Sequence, residues 1–120
     1  MSYNFNNDTP IYLQIIEHIK MKIISKQLLP NQKISSVREL SVEYKVNPNT
    51  IQKALSELEK IGLIETERTN GKFVTGNTKI IDKITKQTIK DMINNFYKSM
   101  ENLGIDKKQI IDILTNKETV

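Results

Sequence analysis

The tightest constraint on the fold lies in residues 34–62, where two helix-start signals follow each other closely. Ser36 is followed three residues later by Glu39, the S-x-x-E spacing in which a hydroxyl caps the free N–H groups of a first turn and a carboxylate reaches back. Asn47-Pro48 repeats the message with different chemistry: an amide that caps, then a residue that has no N–H to lose at the first helical position. Tyr44, Lys45 and Val46 lie between the two helices and make a tight turn, and Gly62 suits the left-handed position that closes the second.

The second helix has two faces. Ile51, Ala54, Leu55 and Leu58 recur at helical spacing as one apolar stripe, while Asn49, Gln52, Lys53 and Ser56 fall on or near the opposite side. The first helix turns Val37 and Leu40 inward. This is the layout of a helix-turn-helix. Its outward side chains suit duplex DNA for a chemical reason: Asn and Gln can pair with adenine edges, Thr50 can meet a base or a phosphate, and Lys53 can meet guanine or phosphate.

Elements on either side extend the pattern. Ile11, Ile15, Ile19 and Ile23 repeat every fourth residue, and Tyr12, Ile16 and Ile24 widen the stripe, which predicts a helix over 11–25 that packs behind the helix-turn-helix. Residues 1–9 are polar and Asn-rich and read as a mobile arm, with Asp8 or Thr9 as the helix cap and Pro10 at the first helical position. Residues 27–33 read as a turn around Pro30-Asn31. After Gly62, residues 63–67 and 72–74 read as strands of a hairpin around Arg68-Thr69-Asn70-Gly71, a wing whose tip, with Lys72, could reach phosphates or the minor groove.

Gly76-Asn77 marks the expected boundary between residues 1–77 and 78–120. Beyond it, Ile89, Ile93, Phe96, Met100 and Leu103 step by fours and threes along one helix, and Ile84 extends the seam. Gly104 stops that helix. Asp106 with Gln109 then starts a short last one that carries Ile110, Ile111 and Leu114. Two such helices, expected as an antiparallel hairpin, carry more apolar surface than they can bury on each other, so dimerisation with a second copy is the expected use of these nine side chains. The fold class is therefore mainly α with a small β-hairpin: a winged helix-turn-helix followed by a two-helix antiparallel dimerisation hairpin.

Composition excludes more than it selects. Eighteen basic residues against fourteen acidic ones leave a net charge of +4, and 10 basic and 8 acidic residues precede residue 78, so neither part is markedly basic. A DNA-facing patch must be assembled by folding. There is no cysteine, which removes disulfides, thiolate metal sites and cysteine nucleophiles and suits a reduced, cytoplasmic compartment. No secretory leader is evident, and no run approaches the roughly 18 to 20 apolar residues that span a bilayer, so no membrane partner is expected. His18 is the single histidine and cannot build a metal site or a triad alone; it reads as an exposed or half-buried helix residue. Glu39, Glu43, Glu57 and Glu59 are scattered helix carboxylates without a nucleophile, a phosphate loop or a metal cluster, so neither an enzyme nor a cofactor site is expected.

Residues 10–74 resemble the DNA-binding domain of GntR-family transcriptional regulators. The resemblance is carried by SVREL at 36–40, VNPNTIQKAL at 46–55 and the stretch from GLIE at 62–65 to NGKFV at 70–74. The short tail, 43 residues after Asn77, is similar to the YtrA-like branch, which implies a homodimeric repressor binding an inverted-repeat operator, with a transporter operon as its expected target. The resemblance implies base or phosphate contacts from Arg38, Asn47, Asn49, Thr50, Gln52 and Lys53, and a wing contact from Gly71 and Lys72. Ser36, Arg68 and Asn70 complete the candidate DNA-binding set from the residue reading. Two positions depart from the family pattern: Ser35 stands where Pro is usual, and Lys53 stands where Arg is frequent, which replaces a bidentate fork by a single ammonium. A winged helix that binds protein or RNA without reading DNA sequence is the competing expectation. The tail is too short to enclose a pocket of several hundred cubic ångströms, so an unidentified small-molecule effector, if one exists, sits at a dimer interface.

Overall fold

A computed structural model describes residues 3–116 of the chain. Five helices and one two-stranded antiparallel sheet follow in the order α1 (Ile11–Ile24), α2 (Val37–Tyr44), α3 (Pro48–Lys60), β1 (Ile64–Glu67), β2 (Gly71–Val74), α4 (Thr78–Asn102) and α5 (Lys107–Asn116). The first five elements form a winged helix-turn-helix, and a helical region follows it among the described residues.

Local chemistry sets the helix boundaries. At α2, Ser36 Oγ accepts the Glu39 N–H at 3.1 Å and Glu39 Oε1 accepts the Ser36 N–H at 3.0 Å, the reciprocal capping box. At α3, Asn47 Oδ1 accepts the Asn49 N–H at 2.8 Å and Pro48 opens the helix. The end of α3 is a Schellman closure: the Leu63 N–H reaches Leu58 O at 3.1 Å and the Gly62 N–H reaches Glu59 O at 3.0 Å, with Gly62 at φ +87°. Leu58 and Leu63 are both fully buried, the apolar contact that accompanies such a stop.

The core of the winged domain is the meeting of three stripes. Ile15, Ile19 and Ile23 of α1, Leu40 and Tyr44 of α2, and Ile51, Ala54, Leu55 and Leu58 of α3 are buried together with Leu63, Ile64 and Val74 of the sheet region. Ile11, the first member of the α1 repeat, is instead 42% exposed, because it lies at the helix start beyond the packed stripe. Tyr44, expected in the turn, is the last residue of α2 and is buried; the turn is made by Lys45, held at φ +57°, and Val46.

Four features differ from the sequence expectation. First, α1 has Pro10 itself at the N-cap, with no side-chain cap, so neither Asp8 nor Thr9 serves. Second, the arm is docked. The Gln14 amide accepts the Asn6 N–H at 3.0 Å and donates to Asn6 O and Thr9 O at 3.0 and 2.7 Å, while Tyr3 and Phe5 stack with each other and against Tyr44. A polar composition hid this because one buried amide and two aromatic rings do the holding. Met1 and Ser2 lie outside the described residues. Third, the linker before α2 pairs with the wing: Lys33 bridges Phe73, the Val74 N–H reaches Gln32 O at 2.9 Å and the Ile34 N–H reaches Lys72 O at 2.8 Å. Such a short added edge leaves no alternating pattern to read. Fourth, the hairpin loop is Arg68-Thr69-Asn70, and Gly71 belongs to β2, paired with Glu67 and held at φ +97°.

The chain divides into two compact units between Asp82 and Lys83, later than the Gly76-Asn77 punctuation. Asn77 does start α4, its Oδ1 accepting the Lys79 N–H at 3.1 Å, but Ile80 lies beside Gly62 of the winged domain and holds the first turn there. In the second unit Gly104 ends α4, and Asp106 with Gln109 forms a reciprocal cap for α5 at 2.9 Å in both directions. Across the joint between the two helices, Lys107 Nζ lies 5.0 Å from the Tyr97 ring centre. Ile110 is buried, while Leu103 and Leu114 stay 74% and 70% exposed.

His18 joins α1 to the end of α2. Its Nδ1 shares a 2.6 Å hydrogen bond with Tyr44 Oη, and the Tyr3 ring lies 4.3 Å away between centres. Burial, then the Lys22 charge, lower its pKa from the ordinary histidine value, with Glu43 opposing; burial, then the charge of Glu43 and the neighbouring Tyr3, raise that of Tyr44. The native state thus binds the His18 proton less well than the unfolded chain. Its contribution to stability is present above the unfolded value near pH 6.5 and declines as pH falls from there through the lowered native value. Denaturant titrations between about pH 7.5 and about pH 5.5 should show the wild type losing stability relative to His18→Gln. Parallel curves would contradict this assignment.

Candidate nucleic-acid interface

Because Ile51, Ala54, Leu55 and Leu58 must face α1, the opposite side of α3 is delivered to the surface. Gln52, Lys53 and Asn49 are exposed there and Thr50 is half-buried beside them. α2 crosses α3 with Arg38 exposed near its start, and the wing presents Arg68 at its loop. Among the described residues the side chains of Arg38, Thr50, Gln52 and Arg68 form no hydrogen bond or ion pair, so their donors and acceptors remain available to a ligand.

The Asn49 side chain likewise has none, only its backbone N–H being bonded, whereas the remaining candidate side chains already have partners. Ser36 and Asn47 hold helix caps, and Glu39 is bound to the same cap; the Ser36 N–H and then its hydroxyl lower the Glu39 pKa. Asn70 Nδ2 donates to Glu67 Oε2 at 3.1 Å, which ties the loop to its own strand. Lys72 was expected at the wing tip but lies on β2, facing α3. Its Nζ is 3.6 Å from Glu59 Oε1 and donates to Thr66 Oγ1 at 2.8 Å, and the Thr66 hydroxyl in turn donates to Glu59. The Lys72 side chain is only 18% exposed, so in this arrangement it braces the wing against α3 and does not extend outward. Lys53 lies with its Nζ 3.9 Å from the centre of the Tyr12 ring on α1.

A groove runs between the start of α2 and the inner side of the wing, lined among others by Lys33, Ser36, Glu39, Arg68 and Lys72. A shallower depression separates the first turn of α1 from the start of α3 and is lined by Ile11, Tyr12, Asn49, Thr50 and Lys53. Arg68 lines the first and Thr50 the second, each with its side chain unpartnered among the described residues. Tyr12 and Glu59 therefore touch the candidate surface although the sequence marked neither: Tyr12 counted only as an apolar stripe residue, and Glu59 as one of several helix carboxylates. Only the fold brings α1 to α3 and β2 to α3.

Among the described residues there is no group of three or more His, Asp or Glu side chains able to hold a metal, and no helix long and apolar enough to cross a membrane.

Comparison with known proteins agrees with this geometry. Residues 11–74 match the model for bacterial regulatory proteins of the gntR family. The chain is 38% identical to the HTH-type transcriptional regulator YhcF of Bacillus subtilis over 93% of both chains. It is 40% identical to the HTH-type transcriptional repressor YtrA of the same organism over 72% of this chain and 71% of that one. A GntR family transcriptional regulator from Listeria monocytogenes superposes with a TM-score of 0.86 at 37% identity, covering 95% of this chain and all of the other. The AraR DNA-binding domain in complex with operator ORX1 gives a TM-score of 0.57 at 30% identity over 62% of this chain and 95% of that one. The family and these relatives are transcriptional regulators, not enzymes.

The Glu59–Lys72 pair is partly exposed, so it is worth at most about 1 kcal/mol to the fold. Glu59→Gln should leave thermal stability within that margin while releasing Lys72, seen as loss of the through-space contact between the two side chains by NMR. An unchanged Lys72 environment would mean that Thr66 alone holds it.

Proposed function

The chain belongs to the gntR family of bacterial regulatory proteins, and from that premise we propose that it is a homodimeric, sequence-specific repressor of transcription. The observation that carries the reading is the outward face of α3, where Asn49, Gln52 and Lys53 are exposed and Thr50 is half-buried, together with Arg38 exposed near the start of α2. In this reading α3 enters the major groove, Gln52 and Asn49 read adenine edges, and Thr50 and Lys53 meet a base or a phosphate. Arg38 and Arg68 bind phosphates and set the register, while Ser36, Asn47, Asn70, Gly71 and Lys72 shape the surface that holds them. Repression is supported by the similarity to YtrA, a transcriptional repressor, and control of a transporter operon is what the resemblance to that branch implies.

Dimerisation is supported by the tail. Ile89, Ile93, Phe96, Leu103, Ile111 and Leu114 are all exposed in the single chain, Ile84 and Met100 are half-buried, and only Ile110 is covered within it. A second copy can bury this surface, and a two-fold dimer would place two α3 helices on half-sites one helical turn apart, roughly 34–36 Å. Residues 78–120 act in this reading as the dimerisation tail, and residues 1–77 as the DNA reader. Cytoplasmic location follows from acting on the bacterial chromosome. An effector, if present, would occupy the interface between the two tails.

Selection of binding sites from random duplexes by the full chain should return an inverted repeat. On that operator, Gln52→Ala should cost about 1–3 kcal/mol and relax preference at one base pair per half-site, whereas Arg38→Ala should weaken all sequences alike. Binding should fall steeply with salt. Selection of no sequence, with capture of RNA or a protein instead, would overturn this reading in favour of an interaction module. Phe96→Asp combined with Ile93→Asp should sediment as a folded monomer and lose at least about 100-fold in operator affinity. A dimer that survives both changes would place the interface elsewhere.

A further inference from the structure

A lysine is a poor reader of fixed positions, because its ammonium is strongly hydrated and sits on a stem with four rotatable bonds. In this chain Lys53 is nonetheless placed. Its Nζ lies 3.9 Å from the centre of the Tyr12 ring, at the edge of the depression that Ile11, Asn49 and Thr50 complete. The neighbouring cation on α3, Lys60, is engaged by Glu57 at 3.1 Å in the last turn, and Lys72 by Glu59, so Lys53 is the cation of this helix left to face a ligand.

We propose that Tyr12 is a positioning residue for DNA recognition: its ring is the platform that fixes the Lys53 ammonium toward an oxygen acceptor of the operator. This inference rests on the reading of the chain as an operator-binding regulator. An ammonium over a ring face presents only one side to it. Its remaining N–H groups point away and can donate to guanine O6 and N7 or to a phosphate oxygen while the stack persists. Exclusion of water at a DNA interface strengthens the attraction between cation and ring, so the platform helps more in the complex than in the free protein. Lysine at a position where the family often carries arginine gains through Tyr12 part of the directional hold that a guanidinium has by itself.

The hydroxyl of Tyr12 takes no part, so ring and hydroxyl separate in experiment. With the full chain and an operator selected by it, Tyr12→Leu should weaken binding about 3- to 30-fold, and Tyr12→Phe should retain wild-type affinity. In a Lys53→Met background, Tyr12→Leu should change affinity by less than about 2-fold, because the two side chains act as one unit. Melting curves and circular dichroism of each variant establish that the fold persists. In the free protein, the Lys53 ε-methylene protons should resonate upfield from ring shielding and return to ordinary values in Tyr12→Leu. Equal losses from Tyr12→Leu with and without Lys53 would overturn the proposal, as would a loss in Tyr12→Phe equal to that in Tyr12→Leu. Absence of the upfield shift would remove the stack itself. If the wild type selects no operator, the regulatory reading and this role in DNA recognition both fall, while the shift still reports whether the stack exists.

Discussion

The packing of α3 on α1 is the constraint from which the rest of the winged domain follows. Ile51, Ala54, Leu55 and Leu58 meet Ile15, Ile19 and Ile23 with essentially no solvent access, and each large side chain so buried contributes roughly 1.5–3 kcal/mol. Rotation of α3 about its axis would expose this stripe, so the helix has one permitted orientation. Asn49, Gln52 and Lys53 then have one permitted side. The face proposed to read DNA is fixed by residues that lie on the other side of the helix.

Polar groups near that face divide into those that hold backbone and those that stay free. Ser36 and Asn47 satisfy N–H groups that would otherwise be orphaned at helix starts, and Asn70 restrains the wing loop. This division matters for reading any set of candidate contacts, because a cap residue and a base reader can be the same amino acid one turn apart. Asn47 and Asn49 differ in role only through position: the first stands before the helix, with its oxygen turned to the second one's N–H.

Much of this was legible in the sequence because it is encoded over short distances. The capping box at Ser36, the Asn47-Pro48 start, the stop at Gly62 and the Asp106–Gln109 cap each involve residues close in the chain, and each appears where its pattern predicts. What stayed hidden depends on contacts between distant segments. Gln14 clamping Asn6 and Thr9, residues 32–34 completing the wing edge, Lys72 turning to Glu59, and Tyr12 lying under Lys53 leave no periodic trace. The tail shows the same limit. Its two helices and their stops could be read, but the burial of Ile110 alone among the nine seam side chains depends on contacts across the joint at Gly104, which one glycine does not specify.

Lys72 drawn back onto Glu59 has a kinetic meaning. A regulator spends most encounters on DNA that is not its target, and the lifetime of those encounters grows with the number of phosphates it neutralises. In the proposed DNA-binding reading, a wing cation neutralised from within shortens each unproductive stay without changing what the recognition helix reads. In a chain of modest net charge, that internal pairing favours brief sampling of many sites over prolonged residence at the wrong ones.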